Sequence, residues 1–208
     1  MIDSAALALF VPTFFFVSLT PGMCMTLALT LGMQVGVRRT MWMMIGELAG
    51  VGLVAVSAVV GVAALMLRYP DFFFYFKLAG GAYLGWLGVQ MWRSRGTMAL
   101  QVDGDPASAG LSRMQLVTQG FITAVANPKG WAFFIALLPP FISSELPLVP
   151  QLAVLLSIIL LLELVCMLIY ASGGKTLGRL LGQAGNVRLV NRVAGSLMLG
   201  VGVWLAAG

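Results

Sequence analysis

The sequence predicts an all-α integral membrane protein: six transmembrane helices forming two inverted three-helix repeats, with helices 1 and 4 broken at Pro. Three observations carry this expectation. Hydrophobic residues make up 60% of the 208-residue chain and charged ones 9%. Six apolar segments are long enough to cross a bilayer. Proline and glycine interrupt the first segment of each half at corresponding places.

Composition excludes most alternatives. A soluble domain carries about 25% charged residues, and a fold of this size cannot hide so much apolar side chain from water. A bilayer removes that limit. The chain has no His, which excludes a Ser-His-Asp triad, a His-Cys zinc cluster and an imidazole proton shuttle. No enzyme chemistry, metal or cofactor is expected. The net charge is +5, but the basic residues lie between apolar segments rather than in one stripe. Membrane topology accounts for them and no nucleic-acid partner is expected. Met1-Ile2-Asp3 lacks a basic n-region, so the first apolar run is expected to stay as a helix.

A spanning helix takes about 20 mostly apolar residues. The six segments run roughly Ala5 to Leu31, Thr40 to Leu67, Phe72 to Trp92, Met114 to Phe141, Val149 to Ala171 and Leu189 to Ala206. They make one transmembrane domain over residues 1–208, with repeat 1 at about 5–92 and repeat 2 at about 114–206. The polar linker 93–113 divides them.

Lys and Arg set the orientation. Arg38 and Arg39 follow helix 1; Arg93, Arg95 and Arg113 follow helix 3; Lys175, Arg179, Arg188 and Arg192 follow helix 5. These mark the cytoplasmic side. The opposite loops carry Arg68 and Lys77, offset by Asp71, and then Glu145. Both termini are therefore expected on the periplasmic side of a bacterial inner membrane. Trp92, Tyr69 and Trp42 suit the headgroup layer.

Two correspondences suggest the repeat. Lys77-Leu78-Ala79-Gly80 with Leu84-Gly85 matches Arg192-Val193-Ala194-Gly195 with Leu199-Gly200 in spacing. Pro21-Gly22 interrupts helix 1 and Asn127-Pro128-Lys129-Gly130 interrupts helix 4, each Pro following a Phe (Phe14, Phe121) by the same interval. Three helices per half mean that the second half enters from the opposite face. Paired Pro/Gly breaks in inverted halves point to a transporter's binding site. Proline removes an amide donor and frees the carbonyl one turn back, and broken backbone survives at membrane depth only against protein or a watery cavity. The freed groups suit a zwitterion. The alternative is a kink satisfied by Ser18, Thr20, Thr123 or water.

Three charges lie within the spans: Lys129, Glu163 and Glu47. Each costs about 2.5–3.5 kcal/mol at the bilayer centre. Lys129 reads as a fixed cation for a substrate carboxylate, or as a snorkelling or structurally paired Lys. Glu163 reads as a proton acceptor, because desolvation favours a neutral carboxyl and water a charged one, or as the structural partner of Lys129. Glu47 is a further proton-coupling candidate. It follows Gly46 in Gly46-Glu47-Leu48-Ala49-Gly50, where a small-xxx-small face could bring another helix close. Tyr170 shares a face with Glu163 and reads as a headgroup anchor or a pathway hydrogen bonder. Gly174-Lys175-Thr176 imitates the end of a phosphate loop, but Ile169 stands where the earlier Gly is needed.

Three stretches resemble the LysE/RhtB family of amino-acid exporters: Ser18-Leu19-Thr20-Pro21-Gly22, the run Lys77 to Gly88, and Asn127-Pro128-Lys129 followed by Phe133 to Phe141. The resemblance extends over nearly the whole chain. It implies export of amino acids or close derivatives, driven by protons, and maps a family acidic residue onto Glu163 and a Tyr onto Tyr170. Substrate-pathway residues would be Pro21, Gly22, Asn127, Pro128, Lys129 and Tyr170. Two features depart from the family: Pro21-Gly22-Met23-Cys24 replaces the usual Pro-Gly-Pro, and Glu47 stands where many members are neutral. The expected partners are an amino acid, protons and lipid, with a homodimer left open. Two other functions compete: a membrane thiol-disulfide carrier using Cys24 and Cys166, and a metal-ion exporter using Glu47 and Glu163. Redox chemistry requires the two thiols to meet, and a metal site favours clustered acidic, His or Cys ligands.

Overall fold

The computed structural model describes residues 4–68, 72–94, 110–143 and 146–207. Met1, Ile2, Asp3, Tyr69, Asp71, Arg95 and Glu145, together with most of the 93–113 linker, lie outside these residues. The described chain is helical. It consists of α1 (Ser4–Leu19), α2 (Met23–Val35), α3 (Val37–Arg68), α4 (Phe72–Arg93), α5 (Arg113–Val125), α6 (Pro128–Leu137), α7 (Leu148–Gly182) and α8 (Ala184–Ala207), with a 3-10 turn at Pro139–Phe141.

Val37–Val62 and Leu148–Gly174 are each long and apolar enough to cross a membrane. Leu7–Leu19 and Met23–Val35 meet the same criterion as one pair, bent by 56°. The other predicted segments are occupied by α4, by α5 with α6, and by α8.

Local chemistry explains the helix ends. The residue before a proline is biased away from helical dihedrals, and α1 stops at Leu19, just short of Thr20-Pro21. The next helix starts from an extended Gly22 (φ −143°, ψ −176°) that offers no side-chain cap. Ser112 and Gln115 form a reciprocal capping box at the start of α5. Asn127 caps α6 by accepting from the Lys129 amide, and Pro128 takes the first helical position, where its missing N–H costs nothing. One difference from the sequence expectation concerns helix 5. Rather than ending near Ala171, α7 continues to Gly182 through a bend at Gly174 (φ 45°, ψ −136°), a conformation that glycine permits.

Apolar faces gain little by leaving hydrocarbon, so close packing and polar links must hold such helices together. Gly120 of α5 lies against the Met43 backbone of α3, and Gly46 of α3 lies against the Val117 backbone of α5; a Cβ at either would collide. Gly88 and Gly195 bring α4 and α8 together in the same way. Trp92 reinforces that seam. Its Nε1 donates to Ser196 at 2.9 Å, and the Arg192 guanidinium stacks 5.1 Å from its ring. Trp42 likewise carries the Arg113 guanidinium at 5.2 Å.

Two buried clusters form the interior. One is aromatic, built on Phe10, Phe14, Phe133, Phe134 and Phe141. The other is richer in sulfur, around Met25, Met43, Met44, Cys166 and Met167. The polar site lies where they meet.

Candidate functional site

A cavity of about 70 Å³ lies beside the gap between α1 and α2 and the start of α6. Its lining combines apolar walls (Phe14, Val17, Phe133, Phe134) with Ser18, Thr20, Gly22, Asn127, Lys129, Glu47 and Glu163. The space holds a few waters.

The break at Pro21 supplies the first polar groups. Pro21 has no amide hydrogen, so the Val17 carbonyl, four residues earlier, loses its helical donor. Three other donors replace it: the Thr20 amide at 3.3 Å, the Thr20 hydroxyl, and the Lys129 ammonium at 3.3 Å. Lys129 Nζ also donates to Thr20 Oγ1 at 2.9 Å. The Lys129 residue is exposed, yet its ammonium turns inward. It reaches close to the start of α2: a Cβ built on Gly22 would stand 3.9 Å from Nζ. Lys129 and the free amides of the first turn of α2 therefore concentrate positive potential at one spot.

The last carbonyl of each broken segment is also capped from a side chain. Tyr170, 1% exposed, donates its hydroxyl to Leu19 O at 2.7 Å. Trp131 Nε1 donates to Val125 O at 2.8 Å. Buried within the protein, Tyr170 holds the end of α1 against α7.

Glu163, on the same face of α7, accepts from Ser18 Oγ at 2.6 Å. Lys129 and Glu163 interact through their charges. Glu47, in α3, is 0% exposed, lines the same cavity and interacts electrostatically with Glu163 and Cys24. Its carboxyl is in hydrogen-bonding contact with the Glu163 carboxyl and the Cys24 thiol.

The two thiols are buried and free. Asn127 Nδ2 donates to Cys24 Sγ at 3.9 Å, while Cys166 Sγ lies 4.0 Å from Phe15 O. Among the described residues, no group of three or more His, Cys, Asp or Glu side chains could hold a metal ion.

The structure thus brings Pro21, Gly22, Asn127, Pro128, Lys129, Glu163 and Glu47 to one region, with Tyr170 supporting its edge. Sequence reasoning did not single out Thr20 as a ligand of Lys129. The signal for it was its position directly before Pro21.

Apolar helices around a cavity that holds an ammonium and two carboxyls suit a membrane protein that moves a small polar solute. The chain belongs to the family described as LysE type translocators, which matches residues 15–208. It is therefore a membrane transporter and not an enzyme. It is 30% identical over 190 residues to the homoserine/homoserine lactone efflux protein of Salmonella typhimurium, covering 91% of this chain and 90% of that protein. It is also 30% identical over 189 residues to an uncharacterised membrane protein of Vibrio cholerae, covering 91% of this chain and 90% of that one. No solved structure matches the chain.

Proposed function

We propose that this translocator is a proton-coupled secondary exporter of amino acids or close derivatives, such as homoserine, across the bacterial inner membrane. The observation that carries the reading is the placement of Lys129 and Glu163 on one cavity at the gap between α1 and α2. A transported zwitterion needs a cation for its carboxylate, and Lys129 beside the open first turn of α2 offers one. A proton-driven cycle needs a group that exchanges a proton with water as access alternates, and Glu163 takes that role.

The chain reads as one domain of six spans. Broken span 1 is α1 with α2, and broken span 4 is α5 with α6. Packing supports inverted halves: α3 lies on α5 and α6, α7 lies correspondingly on α1 and α2, and α4 pairs with α8. Transport alternates by rocking one half against the other around Pro21 and Pro128. Both termini face the periplasm, following the bias of Arg and Lys toward the other side, and the exporter functions alone or as a homodimer.

Purified protein in proteoliposomes loaded with radiolabelled amino acids, homoserine among them, tests this reading. Efflux that accelerates under an imposed proton gradient and slows with a protonophore supports it. Efflux of none of them, or efflux indifferent to the gradient, overturns it.

A further inference from the structure

A second pocket opens at the start of α3 and α5 and shares no lining residue with the cavity of the candidate site. Arg38, Arg39, Trp42, Leu111, Ser112 and Arg113 enclose about 510 Å³. Among the described residues, that lining carries three guanidinium groups and no acid. The charge bias that sets topology asks only that Arg and Lys stay on one side of the membrane. It does not ask that arginines from opposite halves of the chain meet at one pocket.

Two of the three are held in position. Arg39 Nη2 donates to Leu111 O at 2.6 Å, and the Arg113 guanidinium lies 5.2 Å from the centre of the Trp42 ring. Neither of these contacts cancels a charge. Because α3 begins at Val37 and α5 at Arg113, the amides of both first turns add positive potential here.

The side chains beside the pocket indicate what kind of anion fits. Arg38, Met41, Trp42 and Ile45 stand at i, i+3, i+4 and i+7 of α3, so they share one face. All four are exposed, as is Met114 next to Arg113 on α5. The face belongs to Val37–Val62, a stretch long and apolar enough to cross a membrane. It runs from a cationic end, past an indole suited to headgroup depth, onto bare apolar side chains. A soluble phosphate would use only the first part. A phospholipid uses all of it, with phosphate on the guanidiniums and an acyl chain along Met41, Ile45 and Met114.

We propose that this pocket binds the headgroup of an anionic phospholipid, which Arg38, Arg39 and Arg113 hold across the seam between the two halves of the chain. Guanidinium forks match phosphate oxygens in geometry as well as in charge. A zwitterionic lipid brings its own cation and is disfavoured beside three others. The site is independent of the exporter reading.

Native mass spectrometry of the detergent-purified chain, titrated with phosphatidylglycerol or with phosphatidylcholine of the same acyl chains, tests the proposal. Wild type is expected to take up phosphatidylglycerol at the lower concentration. Arg38→Gln/Arg113→Gln is expected to weaken that binding by about 25-fold, roughly fivefold for each arginine, and to leave phosphatidylcholine unaffected. Arg179→Gln/Arg188→Gln removes the same charge from α7 and α8 and is expected to bind as wild type. An equal loss in both double variants would reduce the effect to general charge attraction and overturn the site.

A second measurement needs only wild type. Phosphatidylglycerol with a photoreactive acyl chain should label peptides around Ile45 and Met114, read by mass spectrometry, and excess inorganic phosphate should not prevent it. Labelling no stronger than that by the phosphatidylcholine analogue overturns the proposal. Abolition by inorganic phosphate also overturns it, since the pocket would then take a soluble anion. Asp103 and Asp105 of the linker are the chain's own competing anions; arginines engaged by them would show no preference for phosphatidylglycerol, which is the same overturning result.

Discussion

The Lys129 ammonium lies 3.3 Å from the carbonyl oxygen of Val17, the acceptor that Pro21 cannot serve. A charge from the second half of the chain thus satisfies a backbone defect in the first. The pairing explains how both are tolerated within apolar helices. The defect gives the charge an acceptor, and the charge joins the Thr20 amide and hydroxyl in serving the freed carbonyl.

Lys129→Met should therefore weaken transport through cargo binding. A hydrogen bond to a charged group contributes about 1.5–3 kcal/mol, so the half-saturating concentration should rise by about tenfold or more. Lys129→Arg keeps the charge and should recover part of the loss. Concentration-dependent counterflow measures both. An unchanged value for Lys129→Met would remove the residue from cargo binding.

Tyr170 is predicted to matter for stability more than for transport. Tyr170→Phe deletes the hydroxyl that serves Leu19 O and leaves a buried carbonyl unsatisfied, at a cost of about 1–3 kcal/mol. For a chain of this size that lowers the melting temperature by about 2–12 °C. Thermal unfolding in detergent measures it, and a variant that melts with wild type would show that the contact holds nothing.

The seam between α3 and α5 depends on the absence of side chains. Gly120→Leu places a side chain into the Met43 backbone and should sharply reduce folded protein in the membrane. Gly61→Leu is the control. A Cβ there meets nothing within 4 Å, so expression should stay near wild type. Size-exclusion yield of membrane-extracted protein compares them.

The apolar run lengths made the helices legible in the sequence, because a long apolar run satisfies its backbone only through bonds within itself. The Asn127-Pro128 start of α6 was equally readable, since an Asn cap with Pro behind it is a local signal. Tertiary relationships were not readable. Tyr170 meets Leu19 across 151 positions, and nothing near Tyr170 in sequence separates a buried cap from a headgroup anchor. The extension of α7 past Ala171 was hidden because Gly174 and the basic residues after it look like a loop, while the chain bends and continues. Glu47 was visible as a charge within a span, but its place beside Glu163 and Cys24 emerges only once α2, α3 and α7 pack together.

Proton-driven efflux and counterflow, compared in proteoliposomes for wild type and Glu163→Gln, test the central claim most directly. Counterflow needs only cargo binding and alternating access, whereas net uphill efflux needs the proton. Glu163→Gln is expected to keep counterflow while losing acceleration by an imposed proton gradient. Undiminished proton-driven efflux in Glu163→Gln would contradict the assignment of Glu163 to coupling.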